Sequence, residues 1–294
     1  MPSVSVIMPA YNHERFVGVA TESVLGQSFG DLELVVVDDG SKDATGDIVR
    51  EYAAKDKRVR YIYQENQDAY NALNQGLREA TGDWLAIINS DDQFDTKRLE
   101  RLWEFTSQHD VECLFTDVIP IDASGNEISD PHFFWHRWHQ GNRDYYQACG
   151  DLFSGFLRGN LMVSTSNLFF SRAAFEKVGF FSPLRYLHDY DFIFRMLVAY
   201  PHGVRYLDRD RLLKYRLHGS NTIKEGAIKA RLEDQQVIRT YLLAGLPEEL
   251  RVRVATGADR IVQLERELAD LRSSPVATLR SSRFLKPVRA LLRR

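Results

Sequence analysis

The chain has 294 residues, 44% of them hydrophobic and 27% charged. That is the balance of an ordinary globular protein, and it excludes collagen-like, mucin-like and wholly disordered chains. The two cysteines, Cys113 and Cys149, supply neither a disulfide framework nor a zinc knuckle, which fits a reducing compartment.

In chain order, Val4 to Met8 is a short apolar run closed by Pro9, and it predicts a strand. Residues 14–28 place Phe16, Val17, Ala20 and Val24 at helical spacing. Leu32 to Val37 predicts a second strand. Ile48, Val49, Tyr52 and Ala53 mark a second helix, and Val59 to Tyr63 a third strand. Leu73, Leu77 and Ala80 give a third helix that Gly82 is expected to stop. Trp84 to Ile88 predicts a fourth strand. Leu99, Leu102, Trp103 and Phe105 predict a fourth helix, capped by Asp95 or Thr96. This alternation predicts an α/β fold: right-handed βαβ units and a mostly parallel sheet with helices on both faces.

Ligands bind such sheets at the carboxyl ends of the strands. Tyr11 and Asn12 follow the first strand, and Asp38, Asp39, Gly40 and Ser41 the second. Glu65, Asn66 and Asp68 follow the third, and Asn89, Ser90, Asp91 and Asp92 the fourth. The edge carries no G-x-G-x-x-G and no G-x-x-x-x-G-K-[ST], so dinucleotide dehydrogenase and P-loop NTPase readings lose their main support. A carboxylate-lined edge repels phosphate unless a divalent cation lies between them, and hard oxygen ligands suit Mg2+ or Mn2+. Tyr11 is placed to stack on a base. Asp39 is placed to accept hydrogen bonds from a ribose or base edge, and Asp38 to cap the turn beside it. Taken singly, such Asp and Asn residues are ordinary turn and cap residues. Four consecutive strand ends together point to a metal-bridged nucleotide diphosphate site.

Pro9-Ala-Tyr-Asn12, Val37-Asp-Asp-Gly-Ser41, and Gly82-Asp83 leading into Asn89-Ser-Asp-Asp92 resemble the family 2 glycosyltransferases of the GT-A fold. Ala72-Leu-Asn-Gln-Gly76, residues 165–179, His188-Asp-Tyr-Asp191 with Arg195, and Tyr215-Arg-Leu-His218 are similar to further segments of that family. The resemblance covers residues 3–222. It implies an inverting transfer of a sugar from a nucleotide diphosphate, UDP by default. The acceptor would be a hydroxyl of a glycan or glycolipid in bacterial surface polysaccharide synthesis.

Together with the strand-end reading, the resemblance assigns Pro9, Tyr11, Asn12, Asp39, Asn66, Asp68, Asn89, Ser90, Asp92 and Arg216 to substrate binding. It assigns Asp91 and His218 to a Mn2+ or Mg2+ ion and Asp189 to the general base. Asn89 stands where the family's Asp-x-Asp motif has its first Asp, which leaves Asp91 as the direct ligand and Asn89 for the ribose. His188 replaces the usual Glu, and Leu73 stands where many members carry Arg. Asp189 opens an apolar helical stretch, where the helix dipole is expected to keep it ionised near neutral pH. Asp191 is expected to orient Arg195 or a backbone amide. His218 follows a predicted strand, 211–217, and is a metal or diphosphate ligand. Arg216 pairs with phosphate or with a carboxylate of the site. Two other readings stay open. A sugar nucleotidylyltransferase should carry a Gly-rich loop with a basic residue where this chain reads PAYNHERF. A non-catalytic nucleotide-binding scaffold is allowed by Asn89 and His188.

Residues 132–146 are dense in aromatic and histidine side chains. Phe133, Phe134, Trp135 and Trp138 are expected to pack against the body. A carbohydrate groove, and a metal site on His132, His136 and His139, are the alternatives. Further on, Ile261, Leu264, Leu268 and Leu271 have the spacing of a short coiled-coil seam, a route to a homo-oligomer. Residues 272–294 hold seven basic residues and no acidic one, which leaves 31 basic against 41 acidic residues in the rest. A body that acidic makes a poor nucleic-acid binder. The basic, leucine-bearing tail fits an anionic membrane surface or a disordered solubilising segment. No apolar run reaches the ~20 residues of a membrane span, and Met1 to Ala10 lacks the features of a signal peptide. The expected setting is the cytoplasm, with peripheral contact on the inner face of the membrane. The expected division is a catalytic domain at 1–225, donor half 1–118 and acceptor half 119–225, then a helical extension at 226–294.

Overall fold

The structure is a computed structural model that describes residues 2–219 and a few positions between 232 and 241. The chain divides into two units, Met1–Asn221 and Thr222–Arg294. The seam at 261–271 and the basic tail lie outside the described residues.

The first unit is built on one sheet of eight strands: β1 Val4–Ala10, β2 Leu32–Asp38, β3 Val59–Tyr63, β4 Trp84–Ile87, β5 Gln93–Phe94, β6 Cys113–Ile121, β7 Phe169–Ser171 and β8 Val204–Arg216. They lie in the order β3-β2-β1-β4-β7-β6-β8-β5. The β1–β2, β1–β4, β2–β3 and β6–β8 pairs are parallel. The short strand β7 runs antiparallel between β4 and β6, and β5 antiparallel to β8. The mostly parallel sheet predicted from the alternation is therefore present. Because β1 to β4 all run the same way, their four carboxyl ends open on one edge.

Among the described residues, eight α-helices accompany the sheet: α1 Val17–Leu25, α2 Thr45–Lys55, α3 Ala69–Glu79, α4 Arg98–Gln108, α5 Phe134–Cys149, α6 Leu152–Arg158, α7 Arg172–Val178 and α8 His188–Ala199. Strands β1 and β2 are buried along their whole length, as near-continuous apolar runs in parallel sheets are. Val4, Val6 and Met8 of β1 pack in one core with Val17, Ala20 and Val24 of α1. Ile7, pointing the other way as strand alternation requires, meets Gly76 of α3, where a Cβ would lie 2.3 Å from Ile7 Cγ2. Helices thus cover both faces. Pro9 sits in β1 without costing a ladder bond, because the pairing with β4 ends at Ile7 and proline has no N–H to offer there.

Several local expectations are corrected. The first helix spans Val17–Leu25 rather than 14–28, because residues 13–16 form a turn in which His13 O accepts from the amides of Phe16 and Val17. Gly82 does not stop the third helix, which ends at Glu79. It lets the chain pass close to β1, since a Cβ there would lie 2.6 Å from Ser5 N. The fourth helix begins at Arg98, and Asp95 instead closes a turn by accepting from Lys97 N at 3.0 Å.

In the 132–146 segment, Trp135 is buried and Phe133 packs on the core. Phe134 is 65% exposed and stays largely in solvent, whereas Trp138, 44% exposed, lies against the buried Trp135 and His139 rings at 6.3 and 6.2 Å. The metal reading of the histidines is overturned. His132 precedes α5, His136 Nε2 lies 2.6 Å from Ile128 O, and His139 Nε2 lies 2.6 Å from Asp117 Oδ1. Among the described residues, no helix is long and apolar enough to cross a membrane.

Candidate active site

The four parallel strand ends are tied to one another before any ligand is considered. Asn12, in a left-handed conformation with φ 51°, donates its amide to Ser41 Oγ (3.0 Å) and accepts from Lys42 N (2.7 Å). Asn12 therefore clamps the β1 loop to the β2 loop. Asp38 caps its own turn as expected, accepting from Ser41 N at 2.9 Å and from the Tyr61 hydroxyl at 2.8 Å. Asp39 is 3% exposed and accepts from Gln64 Nε2 at 2.7 Å and Gln67 N at 2.9 Å. Burial pushes its carboxyl above the ordinary range, and those two hydrogen bonds offset part of the shift. Asn66 donates to Asp39 O at 3.1 Å, and Asp68 is ion-paired with Arg185. Tyr11 follows β1 and stands 45% exposed.

The fourth strand end carries the densest chemistry. Asn89 donates its backbone amide to Ser166 Oγ at 2.9 Å and its side-chain amide to Ser164 Oγ at 3.2 Å. Ser90, 1% exposed, places its hydroxyl 2.8 Å from His13 Nδ1. Asp91 Oδ2 lies 2.8 Å from His218 Nε2. Asp92 is 1% exposed; it accepts from Arg216 N at 2.9 Å, Ser166 Oγ at 2.5 Å and Ser164 Oγ at 3.3 Å. Asp92 thus fastens β8 and the turn at Thr165–Asn167 behind the site.

These adjacent carboxylates have opposite shifts. Burial raises both, but at Asp91 the His218 hydrogen bond and the nearby His13 and His218 rings outweigh it and hold the carboxyl low. At Asp92 burial and the Asp91 charge add, and the carboxyl is pushed well up. Asp91 is the anion of the pair.

His13, Asp91 and His218 can each offer one ligand atom within 4.8 Å of the others. They come from the ends of β1, β4 and β8. Two imidazoles and a carboxylate are a donor set that fits a divalent transition ion. The His13 and His218 rings meet edge to face at 5.8 Å, and Phe16 packs on His218 at 5.0 Å. A cleft of about 340 Å3 lined by Asn12, His13, Phe16, Asp43, Ala123 and His218 opens beside them.

Arg216 is 3% exposed and donates to Asp91 O at 2.7 Å, Asp122 O at 3.0 Å and Ala123 O at 3.2 Å. Its guanidinium ties the β4 and β6 loops to β8.

Asp189 is the second residue of α8 and is 6% exposed. Asn160 Nδ2 lies 3.4 Å from its Oδ2. Burial raises its carboxyl above the ordinary range, so the expected protection by the helix dipole is outweighed by desolvation. Such a raised carboxylate is suited to general-base work near neutral pH. Burial pushes the Tyr215 phenol up, and the carboxyls of Asp92, Asp91 and Asp189 add to that push. His188 lies against Thr165 Oγ1 at 3.3 Å and Leu184 O at 3.2 Å. Asp191 accepts from Arg195 Nε at 3.0 Å, as expected.

His13, Ser164, Ser166 and Asn160 are the residues that sequence reasoning missed. His13 directly follows Asn12 at a strand end, so the rule that found Tyr11 and Asn12 could have reached it. The two serines lie more than 70 residues from their partners; Ser166 falls in the family-like segment 165–179, but nothing local tied it or Ser164 to Asn89 and Asp92.

Residues 5–179 match the profile of glycosyl transferase family 2, and the chain belongs to that family. An uncharacterized glycosyltransferase of Rickettsia typhi is 30% identical over 222 residues, which is 75% of this chain and 66% of that protein. The chain spans between 33% and 66% of the length of this and three similar relatives. Among solved structures, S. aureus TarS 1–349 in complex with UDP-GlcNAc aligns with a TM-score of 0.62 at 19% identity, over 97% of this chain and 78% of that one. The mannosyltransferase PcManGT of Pyrobaculum calidifontis, in complex with GDP-Man and Mn2+, aligns at 0.61 and 18% identity, over 99% and 78%. The fold is that of these GT-A glycosyltransferases.

Proposed function

We propose that the chain is a metal-dependent inverting glycosyltransferase. It moves a sugar from a nucleotide diphosphate sugar, a UDP-sugar by default, to a hydroxyl of a glycan or glycolipid. The observation that carries this reading is the convergence of Asp91 and His218, 2.8 Å apart, at the edge where Asp39 and Tyr11 also stand. Tyr11 stacks on the base and Asp39 accepts from the base or ribose. Asp91 and His218 would hold Mn2+ or Mg2+, which when bound would supply Lewis-acid neutralisation of the leaving diphosphate.

Asp189 accepts the proton of the acceptor hydroxyl while that oxygen bonds to the anomeric carbon, opposite the breaking bond to the diphosphate oxygen. Attack from that side inverts the sugar. Residues 1–118 then bind the donor and 119–225 the acceptor, with 226–294 as an extension. TarS with UDP-GlcNAc and PcManGT with GDP-Man and Mn2+ support a nucleotide-sugar donor and a metal. The seven basic residues from 272 to 294 support peripheral contact with an anionic inner membrane, and the 261–271 spacing a homo-oligomer. Surface polysaccharide synthesis is the setting that the family resemblance favours.

The test is a thermal-shift panel of UDP-, GDP- and dTDP-sugars with and without Mn2+, followed by transfer of labelled sugar from the best donor. Metal-enhanced stabilisation by one nucleotide class and transfer from it are expected. Stabilisation without transfer to any glycan acceptor would make the chain a binding scaffold.

A further inference from the structure

His13 sits beside His218 and Asp91 at the end of β1. Its ring is half-buried and borders the same cleft as His218. The ring is also held in place. Ser90 Oγ sits 2.8 Å from Nδ1, the Phe16 ring packs at 5.9 Å, and the His13 amide donates to Thr45 Oγ1 at 2.8 Å. Hydrogen bonds that fix an imidazole's orientation are the usual support of a metal-binding histidine.

One ring nitrogen of His13, one of His218 and one oxygen of Asp91 lie within 4.8 Å of one another. Ligands about 2.1 Å from a shared ion are at most about 4.2 Å apart, so small side-chain rotations would close the set.

We infer that His13 is a third protein ligand of the divalent ion, and that the resulting two-imidazole, one-carboxylate set makes this site favour Mn2+ over Mg2+. The inference rests on the metal-dependent reading above and adds a ligand and a selectivity to it. The reason for the selectivity is chemical. Mg2+ prefers oxygen donors and is ordinarily held by one or two carboxylates with substrate phosphates, whereas imidazole nitrogen suits transition ions. Replacing an oxygen or water position with a second imidazole stabilises Mn2+ more than Mg2+.

The experiment uses the full chain with UDP. Titration of Mn2+ followed by loss of the free-ion electron paramagnetic resonance signal gives the affinity. The nitrogen modulation of the bound-ion signal counts imidazoles, and competition gives the Mg2+ affinity. The wild type should show two imidazole nitrogens. His13→Gln should show one, with Mn2+ affinity lowered roughly 10–100-fold and Mg2+ affinity lowered much less. His13→Asp should shift the Mn2+/Mg2+ ratio toward Mg2+. A single imidazole in the wild type would overturn the role of His13 while leaving the metal reading intact, and needs no variant to fold. Unchanged Mn2+ affinity in His13→Gln would do the same. If the wild type takes up no Mn2+ with or without UDP, both readings fall.

Discussion

His218 Nε2 lies 2.8 Å from Asp91 Oδ2 across 127 residues of chain. The contact joins the end of the last sheet strand to the end of the fourth, and the backbone supports it. Arg216 N donates to Asp92 at 2.9 Å and Arg216 Nε to Asp91 O at 2.7 Å. With this register of β8 against the β4 loop, the histidine and the carboxylate must meet. Asp91 is also the carboxylate that its neighbours keep charged.

From this arrangement, Asp91→Ala is expected to abolish sugar transfer and to remove the effect of Mn2+ on nucleotide affinity. The substitution takes away the anionic ligand and leaves the diphosphate facing Asp39 uncompensated. Calorimetric titration of UDP with and without Mn2+ reads the second effect directly. Full transfer by this variant, or by the wild type in excess chelator, would sink the metal assignment.

Asp189→Asn is expected to lower turnover by roughly 10²–10⁴-fold, the usual cost of losing a general base, with donor affinity nearly unchanged. The substitution is isosteric and removes the proton-accepting capacity. Because burial raises the Asp189 carboxyl, the acid limb of the wild-type pH–rate profile should lie above the ordinary carboxylate range. Activity should fall as the pH drops through that limb. A collapse of donor binding along with turnover would make Asp189 a structural residue.

The parts of the site that were legible in the sequence follow from one rule. Parallel strands bring their carboxyl ends to one edge, so Tyr11, Asp39 and Asp91 could be placed together from their strand positions alone. Asp38 could be set aside because a second acid beside a turn glycine has a local use, and it bonds to Ser41 N. The role of Ser164 and Ser166 was not legible, because their partners Asn89 and Asp92 are reached through tertiary packing. Gly82 read as a helix stop because its close approach to Ser5 depends on how α3 returns to the sheet. The 65% exposure of Phe134 escaped notice because aromatic composition does not say which face of α5 is covered. Asp189 was expected to stay ionised at a helix start; its burial comes from the surrounding fold, which a local pattern does not show.

Gly76→Ala tests the packing of α3 on the sheet. The new Cβ would lie 2.3 Å from Ile7 Cγ2, closer than van der Waals contact permits, and both residues are buried in regular elements. Overpacking of this kind costs about 1–3 kcal/mol, more than the helix propensity that alanine would add. A lower urea midpoint with an unchanged denaturant slope is expected. A neutral or stabilised variant would mean that α3 sits farther from β1 than described.

Glu33 gives a pH-dependent prediction away from the site. Its carboxylate accepts from Ser5 Oγ at 2.6 Å and from Thr81 N and Thr81 Oγ1, each at 2.7 Å, and Arg60 lies 3.3 Å away. Burial pushes its pKa up, but these hydrogen bonds outweigh burial and hold it below the ordinary glutamate range. A carboxyl whose folded pKa is depressed stabilises the fold above its unfolded pKa, and that contribution is lost as the pH falls through the folded value. Glu33→Gln keeps the shape, removes the charge and replaces one accepting oxygen by a donor that faces other donors. It should therefore cost about 1–3 kcal/mol near neutral pH, the range for hydrogen bonds to a charged partner. The difference from wild type should shrink as the pH falls through the lowered folded value, where the wild-type carboxyl also becomes protonated. Urea midpoints of both proteins at neutral pH and at an acid pH below that value are the measurement. An equal gap at the two pH values would show that Glu33 acts through packing alone and that its charge contributes nothing to holding β1, β2 and Thr81 together.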